Sequence, residues 1–178
     1  MSQRSFEEVV LPHLDAAFNY ARWLVKNDSE AEDVVQDACV RALRFFSSQR
    51  GDNPRAWLLA IVRNTWYGRF TAKTGGVERM SVFDEAADEH PGHELDPQAL
   101  VIQRQEVERV QQALEELPSD FREVLVLREL EGLSYKEIAA VVQVPIGTVM
   151  SRLARGRERL LAVLKSSDVS TGETRELS

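Results

Sequence analysis

Leu133-Ser-Tyr-Lys-Glu-Ile-Ala-Ala-Val-Val-Gln-Val-Pro-Ile-Gly-Thr-Val-Met-Ser-Arg-Leu153 carries two helical signals separated by a break. Ser134 and Glu137 form a capping box, because the serine side chain can take an orphan amide while the glutamate reaches back to the serine backbone. Ile138, Ala139 and Val142 then give the short helix an apolar side. Gln143 to Pro145 reads as a tight turn, and a second helix is expected from about Ile146 to Leu164. At about 100° per residue, Thr148, Ser151, Arg152, Arg155 and Arg159 share an arc of about 100°, while Val149, Leu153, Leu160 and Leu164 lie opposite. Ala139 is small where the two helices must approach closely. This is the pattern of a helix-turn-helix. Its second helix buries one side and presents hydroxyls and guanidiniums on the other, as a helix that reads a DNA groove must.

Outward from this unit the helical signals continue and strand signals are nearly absent, which predicts an all-α chain. Ser5-Phe-Glu-Glu8 is another capping box, followed by apolar residues every three or four positions, with Pro12 expected to kink or restart the helix. Ser29-Glu-Ala-Glu32 opens a second helix in the same way, with Ala31, Val34, Val35, Ala38, Ala42 and Phe45 as its buried stripe. Asn53-Pro54 caps a third. Periodicity stops after Lys73, where Gly75-Gly76 and an acidic stretch with Pro91, Gly92 and Pro97 follow. Two small helical domains joined by a flexible linker are expected: residues 1–73, a linker over 74–95, the helix-turn-helix domain over 96–165 and a disordered polar tail over 166–178. In the second domain, Leu100, Val101, Val107, Val110 and Leu114 form one apolar stripe and Phe121, Val124, Leu125, Leu127 and Leu130 another.

The chain has 178 residues, 22 basic and 29 acidic, for a net charge of −7. Such a total argues against a nucleic-acid binder until it is divided by segment. Asp28 to Asp37 holds five acids and no base, and Glu78 to Asp96 holds seven acids and only Arg79. Arg41 to Lys73 holds seven bases against Asp52, and Arg152 to Lys165 holds five against Glu158. Two basic blocks on helical patterns are therefore separated by an acidic one. Apolar residues make up 43%, enough for a core. No apolar run approaches the roughly 18 residues of a membrane span, and the N-terminus lacks a signal-peptide pattern. No membrane insertion is expected. The single cysteine, Cys39, excludes an internal disulfide framework and fits a reducing cytoplasm. It falls at the edge of an apolar stripe and reads as a packed thiol. His90 and His93 lie near Asp88 and Glu94, but in the linker and without a cysteine, so neither a metal nor a cofactor is expected. There is no P-loop, no dinucleotide fingerprint and no nucleophile with a base, so the chain does not read as an enzyme.

On the second helix Asp33, Gln36 and Asp37 share one face, opposite the apolar stripe. From Phe45 to Lys73, a polar loop leads into a helix in which Arg55, Arg63, Asn64, Arg69 and Lys73 interleave with Trp66, Tyr67 and Phe70. Arginines among aromatics suit single-stranded DNA, where bases stack and phosphates need cations. Trp57 reads as core, whereas Trp66 and Tyr67 fit either core or stacking.

Asp28-Ser-Glu-Ala-Glu-Asp-Val-Val-Gln-Asp-Ala38, Pro54-Arg-Ala-Trp-Leu-Leu-Ala-Ile-Val-Arg-Asn64, Leu117-Pro-Ser-Asp-Phe-Arg-Glu-Val-Leu125, Gly132-Leu-Ser-Tyr-Lys-Glu-Ile-Ala139 and Gly147-Thr-Val-Met-Ser-Arg-Leu-Ala-Arg-Gly-Arg157 together resemble the extracytoplasmic-function sigma factors of bacterial RNA polymerase, in the family's order over residues 5 to 165. The resemblance implies a cytoplasmic initiation factor of two domains. Asp33, Gln36 and Asp37 would dock on the clamp helices of the polymerase β′ subunit. The loop 47–53, with Ser48, Gln49, Arg50 and Asn53, would capture a −10 base, and Arg63, Asn64, Arg69 and Lys73 would track the non-template strand. Thr148, Ser151, Arg152, Arg155 and Arg159 would read the −35 element in double-stranded DNA, and the second domain would also meet the β flap. An anti-sigma factor is a common partner in the family. One departure is Gly68, which stands where the family often has an aspartate. The rival reading, a stand-alone helix-turn-helix regulator, explains residues 96–165 but gives no task to Asp33, Gln36 and Asp37.

Overall fold

Ser5 starts the first helix as the capping box predicts: its Oγ accepts from the Glu8 amide and the Glu8 side chain accepts from the Ser5 amide. Helix α1 (Phe6–Val10) passes through a 3-10 turn (Leu11–His13) that contains Pro12 into α2 (Leu14–Val25), so the proline restarts the helix rather than ending it. Lys26 then adopts the left-handed conformation, with φ of 58°. That turn sets Asn27 in extended backbone, where its side chain accepts from the Glu30 amide and caps α3 (Asp28–Phe45). The cap is thus Asn27 and not Ser29, because the turn at Lys26 starts the helix two residues earlier. At the other end Phe45 is exposed, and Phe46, in a 3-10 turn, packs edge-on to Phe6 at 5.5 Å instead. Helix α4 (Pro54–Thr74) opens with the Ala56 amide on Asn53 Oδ1 and runs unbroken through Gly68.

The structure is a computed structural model that describes residues 4–48, 53–74 and 97–173, with side chains for all of these but 73–74, 97–102 and 170–173. The expected linker beyond residue 74, with His90 and His93, lies outside the described residues. Among the described residues there is no strand, and the chain is all-α. The second half comprises α5 (Pro97–Glu115), α6 (Ser119–Leu125), a π-helical turn (Val126–Leu130), α7 (Tyr135–Val142) and α8 (Ile146–Glu173). Gly132 follows the π turn at φ of 65°, a conformation only glycine adopts without strain. The Leu133 amide closes this turn on the Leu127 carbonyl.

Tyr20, Ala31, Val34, Ala38, Leu58, Leu59 and Val62 make the core of α2, α3 and α4, and Val124, Leu127, Leu133, Ile138, Val149 and Leu153 that of the second half. Gly156 lets α8 cross α6 closely, since a Cβ there would sit 3.1 Å from Leu125. Val107 and Val110 of the predicted α5 stripe are exposed, as is Leu130. Helix α5 packs mainly on α8, so one side of its stripe suffices. Helix α8 also continues past the expected end near Leu164. Arg109 of α5 binds the Leu164 carbonyl and Asp168, and Ser166 and Ser167 return their hydroxyls to carbonyls four residues back, which keeps residues 166–168 helical. No single helix among the described residues is long and apolar enough to cross a membrane.

Candidate nucleic-acid interface

Helices α7 and α8 meet at 101° across Gln143, Val144 and Pro145, inside the range of a helix-turn-helix. The turn works because Gln143 takes the left-handed conformation at φ of 57° and closes α7 on the Ala139 carbonyl. Val149 and Leu153 anchor α8 from below. Above them Ser151 and Arg155 are exposed and Thr148 is half-buried. The Ser151 hydroxyl returns to the Thr148 carbonyl at 3.0 Å. Arg152 is held sideways by Asp120 at 3.3 Å, and Arg159 lies over the Phe121 ring at 4.9 Å. Of the guanidiniums expected on this face, Arg155 therefore projects most freely, while Arg152 and Arg159 are held by α6.

The α4 face differs from expectation in the partners of its arginines. Asn64 is exposed, and Arg69 is paired with Asp37 of α3, Nε at 2.9 Å and a terminal nitrogen at 2.5 Å. Arg63, by contrast, is buried against the other half of the molecule. Its Nε donates to Glu123 Oε1 at 2.5 Å, and its guanidinium also stacks 4.4 Å from the Tyr67 ring centre. Trp66 meets Tyr67 edge-on and stacks on Phe70 at 5.5 Å, so these aromatics form one cluster along α4 that packs partly on the core. Ser48 is exposed and donates to the Phe45 carbonyl. Gln49, Arg50 and the side chain of Lys73 lie outside the described residues.

Asp33, Gln36 and Asp37 lie on one turn of α3 away from its buried stripe. Leu43 and Val40 continue the outer side of the same helix as exposed apolar residues. The thiol of Cys39 is half-buried, and burial raises its pKa. Such a thiol is a poor nucleophile.

A contact between the two halves was not foreseen from the sequence. Tyr20, Asn53, Arg55 and Arg63 of the first half reach Glu123, Glu131 and Glu137 of the second. Glu123 and Glu131 are buried. Glu137 keeps its capping role and also accepts from Asn53 Nδ2 at 2.7 Å. That bond, with the Ser134 amide, lowers its pKa. Burial beside Glu123 holds the Tyr20 phenol well above its usual range, so it remains a donor. Among the described residues no group of three or more potential ligands could hold a metal ion.

A family model described as Sigma-70 region 2 matches residues 9–75, and one described as Sigma-70, region 4 matches residues 107–160. The RNA polymerase sigma-H factor of Pseudomonas aeruginosa is 35% identical over 164 residues, covering 89% of this chain and 85% of that protein. The ECF RNA polymerase sigma-E factor of Escherichia coli is 38% identical over 138 residues, 74% of this chain and 72% of its own length. Among solved structures, the sigma factor RpoE of Bartonella quintana, in complex with the anti-sigma factor NepR, superposes with a TM-score of 0.68 at 34% identity, covering 90% of this chain and 96% of that one.

Proposed function

The chain belongs to the extracytoplasmic-function sigma factors of the sigma-70 family, and from that premise we propose which of its surfaces meets which partner. A sigma factor is an initiation factor and not an enzyme; this one directs core RNA polymerase to promoter DNA. Residues 1–73 form the unit that docks on the enzyme and opens the −10 element, and residues 96–165 the unit that reads the −35 element. Asp33, Gln36 and Asp37 meet basic residues on the β′ clamp helices, with Val40 and Leu43 adding apolar contact beside them. Ser48, Gln49, Arg50 and Asn53 hold an unstacked −10 base, and Arg63, Asn64, Arg69 and Lys73 follow the non-template strand. Thr148, Ser151, Arg152, Arg155 and Arg159 face the −35 major groove, and the same domain meets the β flap.

The observation that carries this reading is the one-sided anchoring of α8. Val149 and Leu153 are buried while Ser151 and Arg155 are exposed, so the helix is fixed in direction and open on one side. The overall charge of −7 fits the division of labour. Phosphate contacts supply most non-specific affinity, so an acidic chain binds free DNA weakly and binds well once docked. It works where core polymerase is, in the cytoplasm. By analogy with the Bartonella relative bound to NepR, an anti-sigma factor is its proposed inhibitor.

Arg155→Ala tests the α8 assignment. The side chain is exposed, so melting temperature should not change. In transcription with core polymerase, the benefit of a consensus −35 over a scrambled one should fall by about 1–3 kcal/mol, the worth of one bidentate base contact. Retention of the full −35 benefit would remove Arg155 from the interface.

A further inference from the structure

An apolar row runs along α8 in solvent. Ile146 is 44% exposed, Met150 is 52% exposed and Ala154 is exposed as well. Spaced four apart, the three lie within about 80° of one another at roughly 100° per residue. Gly147, Ser151 and Arg155 form the neighbouring row, about 100° further round, and all three are exposed. The apolar row itself holds no charged side chain. Arg157, the next cation on its side of the helix, is drawn to Glu129 at 2.8 Å. Val149 and Leu153 hold α8 against the domain, so neither row is needed for the core.

We propose that Met150 is a specificity-determining residue for the −35 element, packing on the C5-methyl of a thymine in the major groove. This rests on the reading of α8 as the helix that enters that groove. Met150 is the middle residue of the row and its longest flexible side chain, and it stands next to Ser151 and one turn before Ala154. It lies near the start of α8, where a recognition helix brings its residues closest to base edges.

The chemistry of the groove selects the partner. A side chain without a donor cannot grip phosphate, and among the groups that base pairs display in the major groove the thymine C5-methyl is the apolar one. An unbranched thioether adapts to such a small, irregular apolar surface. Ser151 favours the same base pair. Its hydroxyl donates to the Thr148 carbonyl at 3.0 Å, which leaves the oxygen as an acceptor. Adenine N6 is a donor in the groove, and adenine is the partner of thymine. One A·T pair thus meets a hydroxyl acceptor and a thioether side by side, while Arg155, a turn further on, suits guanine.

The test uses holoenzyme, made from core polymerase and the full chain, on a promoter that it transcribes. Each thymine of the −35 element, on either strand, is replaced in turn by deoxyuridine, which removes the methyl and keeps the base pairing. Competition binding reads the affinity. At one or two positions the replacement should cost wild type about fourfold, the factor given by about 0.8 kcal/mol for one buried methyl-sized group. Met150→Ala should lose at least as much on the unmodified promoter and lose nothing further on the deoxyuridine one, the non-additivity of two groups in contact. Met150→Leu should keep most of the deoxyuridine response. The melting temperature should not move, since the side chain is exposed. If no thymine responds in wild type, or if Met150→Ala responds as strongly as wild type, the proposal is overturned. A Met150→Ala variant that bound core enzyme less well yet kept the full deoxyuridine response would make the row a protein contact, which also overturns it. Failure of the α8 reading looks different: scrambling the whole −35 element would leave wild-type binding unchanged, and both readings would fall together.

Discussion

Leu153→Ala should destabilise the second domain by about 2–5 kcal/mol, the usual range for emptying a leucine site in a core. Leu153 is 1% exposed and holds α8 against the rest of that domain together with Val149. Alanine is the better helix former, so α8 loses none of its intrinsic preference and the effect isolates packing. A small domain has only about 5–15 kcal/mol of stability in all, so the loss is a large part of the whole. Urea denaturation of the full chain should show an early transition from the second domain, ahead of the first. Promoter binding by holoenzyme should fall with it, although the residue points away from DNA. An unchanged midpoint would mean that α8 is not anchored through this position.

Asp37→Arg should weaken binding to core polymerase by about 2–5 kcal/mol, since it reverses a charge at the centre of the proposed docking face. The internal ion pair gives this prediction its control. Asp37 is bound to Arg69 across a half-exposed surface, and exposed pairs of this kind contribute little to stability. Arg69→Ala should therefore leave both the melting temperature and core binding near wild type, while slowing promoter opening. Competition for core enzyme against a labelled sigma factor measures the first effect. If both variants lost core affinity equally, Asp37 would be acting by holding Arg69 and not by docking.

How much of this could be read from the residues depended on how local the physics was. The capping boxes at Ser5 and Ser134, the restart at Pro12 and the turn after Val142 each depend on a few neighbouring residues, and their patterns predicted them. The start of α3 was missed because a left-handed lysine, which composition does not announce, sets Asn27 as the cap. Phe45 and Phe46 are both large and apolar, so periodicity alone could not say which would meet Phe6. The extension of α8 depends on Arg109, more than 50 residues away in the chain. The seam is the extreme case. Tyr20 and Glu123 are 103 residues apart, and nothing near either one marks it as paired. Arg55 and Arg63 both belong to the basic, aromatic segment expected to suit single-stranded DNA and look alike as sequence; only the fold shows that both face glutamates.

The central claim is that this chain acts through polymerase, and run-off transcription on genomic promoter fragments tests it most directly. With core enzyme and the protein together, new start sites should appear that neither component gives alone, and a gel shift should show promoter binding only when core is present. Promoter binding by the protein alone, with no new start sites on adding core, would contradict the account and leave a stand-alone helix-turn-helix regulator in its place.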